Sequence, residues 1–160
     1  MSRRAMGAHE SHSITFTVNG IPKGQGNHRR NRAGATYEAT KGHAAWRRAI
    51  INAAEEERQR VGTGTFTVPV LVGAYLQFAR PASHYGTGRN SKTLRANAPA
   101  MPTTRRVGDI DKHARSLLDA LTASHVIDDD SLVVALDVAK RWCLTGETPG
   151  CSITVREAWI

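Results

Sequence analysis

Gly108-Asp109-Ile110-Asp111-Lys112-His113-Ala114-Arg115-Ser116-Leu117-Leu118-Asp119-Ala120-Leu121, followed by Val126-Ile127-Asp128-Asp129-Asp130-Ser131-Leu132-Val133, is the stretch on which the fold turns. Ile110, Ala114, Leu117, Leu118 and Leu121 recur at helical spacing, so a helix with one apolar stripe is predicted, ending near Ser124. An acidic turn then leads into an apolar run from Leu132 to Leu144, read as a strand. Upstream, Ile14 to Val18 alternates apolar and polar residues and reads as a half-buried strand. Asn19 to Gly26 breaks it with three glycines and a proline. Trp46, Ala49, Ile50, Ala53 and Ala54 mark the apolar face of a helix from about Thr40 to Arg60, with Glu55-Glu56-Glu57 on its solvated side. Phe66 to Phe78 reads as one long strand, with Pro69 marking its early part as an edge or a strand start. Ile153 to Trp159 is the last strand, and Thr145 to Gly150 has the chemistry of a hairpin turn joining it to the Leu132–Leu144 strand. Cys143 and Cys151 would then face each other as inert thiols. The order β-α-β-α-β-β predicts a small α+β domain, a mixed β-sheet with two main helices packed on it.

The chain has 160 residues, which suits one domain, and 40% hydrophobic residues, enough for one core. Residues 1–12 read as a flexible leader, 13–160 as the domain, and 81–107 as a long basic loop within it. No apolar run approaches a membrane span, and no apolar segment follows the basic start to make a secretory signal. Two cysteines are too few for a disulfide framework, so a reduced, cytoplasmic protein is expected. Gly24-Gln25-Gly26 lacks the rest of a dinucleotide or phosphate-loop fingerprint.

Charge is distributed unevenly. Lys and Arg number 22 against 14 Asp and Glu, for a net charge of +8. No acid occurs from Ser11 to Tyr37, where Lys23, Arg29, Arg30 and Arg32 lie, nor from Arg58 to Gly108, where Arg105 and Arg106 close a basic run. Every aspartate falls between Asp109 and Asp137. Basic residues neutralise phosphates and aspartates supply hard oxygen ligands, so this pattern suits a polyanion held against a metal ion. Asp109 and Asp111 would point about 200° apart on a helix but the same way on an extended approach to one. The plainer alternative makes one of them a helix cap and the other a first-turn acid. Asp128-Asp129-Asp130 weighs against that, because three adjacent like charges repel where neutral turn residues would serve. A strand running on from Ser131 could bring Asp130 beside Asp109. No histidine has zinc-ligand spacing, and His113 is a minor candidate for proton transfer.

Asp109-Ile110-Asp111, Leu117-Leu118-Asp119-Ala120-Leu121, Asp129-Asp130-Ser131-Leu132-Val133 and Lys140 together resemble the RusA family of Holliday junction resolvases. That family's pattern is Asp-Leu-Asp-Asn, a Lys three residues on, Asp-Ala-Leu, then Asp-Asp-x-Gln-Val and a strand ending in Lys. The spacing matches without a gap from Asp109 to Lys140. The resemblance implies a Mg²⁺-dependent homodimeric endodeoxyribonuclease of bacterial or phage type, with Mn²⁺ able to substitute, that nicks two opposed strands of a four-way DNA junction. It implies Asp109, Asp111 and Asp130 as catalytic metal ligands with Asp129 beside them. Arg115 stands where the family has a functional Lys; it keeps the charge and can bind phosphate bidentately, but its high pKa disfavours proton donation. Lys112 stands for Asn and Leu132 for Gln. Lys23, Arg29, Arg30, Arg32, Arg105, Arg106, Lys112 and Lys140 are the expected DNA contacts. Two other classes suit the sequence less well. A non-catalytic junction-binding protein would have no use for acids that repel DNA, and a phosphohydrolase of nucleotides would not need such long basic segments.

Overall fold

A computed structural model of the chain describes residues 12–158 apart from 27, 39 and 40. Residues 1–11 of the 1–12 leader, the helix start at Thr40 and Trp159 therefore lie outside the described residues. The elements are β1 (Ser13–Asn19), β2 (His28–Arg30), β3 (Thr36–Glu38), α1 (His43–Val61), β4 (Val70–Phe78), α2 (Ile110–Ala123), β5 (Val133–Trp142) and β6 (Gly150–Glu157). Four strands form a mixed sheet in the order β1-β6-β4-β5, and β2 pairs with β3 in a separate ribbon. The α+β expectation, with two helices on a mixed sheet, is met.

The sheet has one apolar face. Ile14, Phe16 and Val18 on β1, Val70, Val72, Ala74, Leu76 and Phe78 on β4, and Ile153 and Val155 on β6 are all buried. Alternate residues face outward: Thr15 hydrogen-bonds Thr154 across two strands at 3.0 Å, and Tyr75 is half exposed. This is the in–out alternation of a sheet covered on one side only. Trp46, Ile50 and Ala54 of α1 and Leu117, Ala120 and Leu121 of α2 close the core from that side. Each large aliphatic side chain fully buried there contributes about 1.5–3 kcal/mol. The buried pair His43 Nε2 and Ser116 Oγ, 3.0 Å apart, ties the two helices together.

Several sequence expectations need correcting. The long strand from Phe66 begins only at Val70, because Pro69 has no N–H to give a ladder. Phe66 makes a single parallel bridge to Ile127 and is buried, whereas Val68, two residues on, is exposed. β5 and β6 are not a hairpin: β4 lies between them, parallel to β5 and antiparallel to β6. β4 is apolar along its whole inner face, and the centre of the sheet buries that face best. Cys143 and Cys151 are accordingly not opposed; Cys151 stands opposite Val18 and Leu76, and the Cys143 N–H reaches the Phe78 carbonyl. On α2, Ile110 is exposed, while His113 and Ser116 join Leu117, Ala120 and Leu121 on the buried face. The segment after β4, expected to lack regular structure, carries two short 3-10 turns and a bridge between Tyr85 and Leu94.

No helix among the described residues is long and apolar enough to cross a membrane.

Candidate active site

Asp109 ends the turn that feeds α2. Gly108 makes that turn at φ 88°, a left-handed conformation that L side chains adopt only with strain. Asp109 is extended (φ −80°, ψ 145°) and occupies the N-cap position, yet its carboxylate makes no capping bond. Its Oδ2 instead meets Lys112 Nζ at 3.0 Å. That bond, helped by the charges of Lys112 and Lys140, holds its carboxyl below the ordinary range. Asp111 lies in the first helical turn and is exposed, so only Asp109 sits on the extended approach. The usual reason for an aspartate at a helix start, the cap, is absent for Asp109.

Three contacts hold the turn in place. Lys140 Nζ, near the end of β5, donates to the Gly108 carbonyl at 2.9 Å. His113 Nε2 lies 2.7 Å from the Val107 carbonyl, which can only accept, so the ring carries its proton on Nε2. His113 is buried against the edge of Phe78, and burial pushes its pKa down. A neutral imidazole holding a backbone carbonyl is a structural role. The Gln25 N–H donates to the Lys112 carbonyl at 3.0 Å, bringing the Lys23–Gly26 segment onto the first turn of α2. A Cβ at Gly24 would fall 2.9 Å from Lys112 Cβ, so the approach suits glycine.

Asp109 and Asp111 thus stand at the carboxyl ends of the parallel strands β4 and β5, where α/β sheets commonly place ligands. Lys23 and Arg106 line an adjoining hollow with Val107 and Arg80. Arg105 and Arg115 are exposed, the latter one helical turn beyond Asp111. Arg29 and Arg30 lie on β2, and Arg30 and Arg32 are exposed. Lys112 and Lys140, expected on phosphates, are bonded to Asp109 and Gly108. Sequence reading missed Arg80, whose guanidinium lies over the Trp142 ring at 5.3 Å from its centroid. Its place immediately beyond the carboxyl end of β4 was the available signal. The ribbon β2–β3 was missed too, since three-residue strands show no period.

Asp129 and Asp130 are elsewhere. Asp129 caps a short 3-10 turn, Asp130–Leu132, accepting the Ser131 N–H at 2.8 Å, and its pKa falls mainly through its bonding to Ser131. This turn packs against α2 and precedes β5, whereas Gly108 is bonded to Lys140 near that strand's other end. From Val133 to Lys140 an extended strand covers about 23 Å at roughly 3.3 Å per residue. The strand therefore carries Asp130 away from Asp109, contrary to the expectation that it would bring them together. Among the described residues no group of three or more His, Cys, Asp or Glu is placed to hold a metal ion.

The family model of the endodeoxyribonuclease RusA matches residues 19–156, nearly the whole described chain. The protein belongs to the RusA endodeoxyribonuclease family. RusA membership makes it a hydrolytic DNA-cleaving enzyme, supports a Holliday junction resolvase role, and implies binding to branched DNA. A search of curated proteins gives no match. RusA-type nucleases are generally dependent on a divalent metal. The two exposed carboxylates at the α2 start, that of Asp109 making no capping bond, are the donor type that suits such an ion: Mg²⁺ takes one or two carboxylates and leaves other positions to water and substrate phosphate.

Proposed function

We propose that the protein is a Mg²⁺-dependent resolvase that cuts a four-way DNA junction by paired nicks in opposed strands, acting as a homodimer in a reducing cytoplasm. The observation that carries this is the division of the aspartates between the two ends of α2. Asp109 and Asp111 stand at one end and Asp129 and Asp130 at the other, so each end holds two of the four acids. β5 supplies a way to join them. Among the described residues it is an edge strand, paired with β4 alone, and Val134 and Leu136 on it are 60% and 41% exposed. Unpaired apolar edges invite pairing with another chain. An antiparallel two-fold pairing of β5 centred on Ala135 sets position 130 of one protomer against Lys140 of the partner subunit. Each Asp109–Asp111 pair would then be joined by the other protomer's 129–130 acids. A two-fold axis also matches a junction, which offers two equivalent phosphodiesters on opposed strands.

In this reading Asp109, Asp111, Asp129 and Asp130 hold Mg²⁺, and Mn²⁺ serves in its place. Once bound there, the ion would supply an activated water and neutralise charge on the phosphodiester. Arg115, one turn from Asp111, grips a phosphate oxygen pair through its fork of N–H donors. Lys23, Arg29, Arg30, Arg32, Arg105, Arg106 and Lys112 bind the flanking backbone, and Lys112 exchanges its bond to Asp109 for phosphate. Lys140 and His113 fix the turn that aims Asp109.

The test is purified protein with Mg²⁺ on an end-labelled four-way junction beside the matching linear duplex. Symmetric nicks in the junction with the duplex intact are expected. Equal cutting of both substrates would overturn the structure-selective reading.

A further inference from the structure

A second hollow lies beyond the one beside Asp109. The segment following β4 and the turn between β5 and β6 form the two walls of an open cleft of about 890 Å³, within the range of small-ligand sites. Leu94 and Met101 stand on one wall and Leu144 on the other, 46%, 59% and 68% exposed. Three aliphatic side chains in water around one cleft are a cost unless something covers them.

The cleft's charge narrows the ligand. Arg80, Lys92 and Arg141 line it, and its one acid, Glu147, is already engaged. Glu147 holds Arg141 through both carboxylate oxygens, at 2.5 and 2.8 Å, and accepts the Leu144 N–H at 2.8 Å. Lys92 is exposed, with no ion pair among the described residues. The walls are braced in place: the Trp142 indole N–H donates to the Pro99 carbonyl at 3.0 Å, and Arg80 donates to the same carbonyl at 2.9 Å. Arg80, Ala79 and Trp142 also line the neighbouring hollow that contains Arg106 and Val107, next to the Gly108–Asp109 turn. One basic surface therefore runs from the aspartates to the cleft.

We infer that this cleft receives an unpaired nucleotide of the DNA near its branch point, with phosphate on Lys92 and Arg80 and the base against Leu94, Met101 and Leu144. The choice of DNA rests on the nuclease reading; the choice of an unpaired nucleotide rests on the cleft. In a duplex the base faces are stacked and only backbone and groove edges point outward, so aliphatic side chains gain little. An unstacked base offers a flat apolar face beside its own phosphate, the pairing of features that single-strand sites use. A peptide of acidic side chains alone would match the charge and leave the aliphatic trio uncovered.

The test compares wild type, Lys92→Ala and the double variant Met101→Ser/Leu144→Ser, without metal, on a fluorescein-labelled oligothymidylate and a blunt duplex of equal length. All three substituted side chains are exposed, and circular dichroism verifies the fold. Single-strand affinity should fall roughly five- to tenfold in the double variant, with duplex affinity changed less than about twofold. Unchanged single-strand binding, an equal loss on duplex, or competition by polyglutamate as effective as that by unlabelled oligothymidylate would each overturn the assignment. If the variants behave as expected but no branched DNA is cut, the cleft stands and the resolvase reading falls. Junction cutting with unchanged single-strand binding would do the opposite, keeping the resolvase and removing the nucleotide cleft.

Discussion

The two ends of α2 carry the same residue type and treat it differently. At the start, Asp109 stands in the cap position without capping, among Lys112, Lys140 and His113. At the far end, Asp129 is committed to the Ser131 N–H and begins a turn. The first end keeps its carboxylates out of backbone capping; the second uses one as ordinary turn chemistry and leaves Asp130 exposed. Among the described residues neither end gathers three or more ligating side chains, and the length of β5 keeps the two ends apart. The difference teaches that aspartates close in sequence need not lie close in space.

The strongest way to break this comparison is complementation. Asp111→Asn and Asp130→Asn should each lose cleavage by about a thousandfold, the scale of several kcal/mol of transition-state charge stabilisation, while junction binding holds or tightens. Mixed together, the two inactive proteins should regain nicking. One composite site in each mixed dimer then combines an intact Asp109–Asp111 pair with an intact Asp130. Pairing within a single chain predicts no recovery at all, so the mixture decides between the two arrangements.

Next in size is the edge strand that would join the halves. Leu136→Arg places a charge at an exposed position on β5, where surface substitutions change stability by no more than about 0.5 kcal/mol. Sedimentation should show monomers, paired cleavage should disappear, and thermal unfolding should barely move. Retention of a dimer with full cutting would place the interface elsewhere.

Lys140 offers a finer cut, because two roles predict different readouts. Its ammonium donates to the Gly108 carbonyl at 2.9 Å. As a positioning residue, Lys140→Met should slow single-turnover cleavage by about tenfold or more through misplacement of Asp109, with little change in affinity. As a phosphate contact, its loss should weaken binding and reduce the salt dependence by about 0.9 log units of affinity per log unit of salt. The geometry favours the first.

Much of this fold was legible because local periodicity reports burial directly. Ile14, Phe16 and Val18 alternate and are buried; Trp46, Ile50 and Ala54 recur at helical spacing and are buried. Strand partners were not legible in the same way. The Thr145–Gly150 turn has hairpin chemistry, yet whether β5 or β4 lies beside β6 depends on competition among strands distant in sequence. On the α2 face, His113 displaced Ile110 because its ring reaches the Val107 carbonyl, a contact invisible to hydropathy. The Asp109–Lys140 spacing carried the family signature faithfully, but spacing along a chain says nothing of direction. β5 runs so that its end, not its start, meets the Gly108–Asp109 turn.

The smallest effect concerns an acid that lies in basic surroundings and should take no part in metal binding. Glu147, held by Arg141 and the Leu144 N–H, has its pKa brought down to about 2 from an ordinary 4.5. A carboxylate depressed in the folded state stabilises the protein above its unfolded pKa, and that contribution fades as pH falls through the folded one. Wild type should therefore lose this share of stability between about pH 4.5 and pH 2. Glu147→Gln should be slightly less stable near neutrality and show a flatter pH dependence across that window, measured by chemical denaturation. Junction cleavage at neutral pH should be unchanged, in contrast to every substitution at Asp109, Asp111 or Asp130. A cleavage defect in Glu147→Gln as large as theirs would mean that basic surroundings, rather than a half-site completed by a second subunit, determine which acids matter.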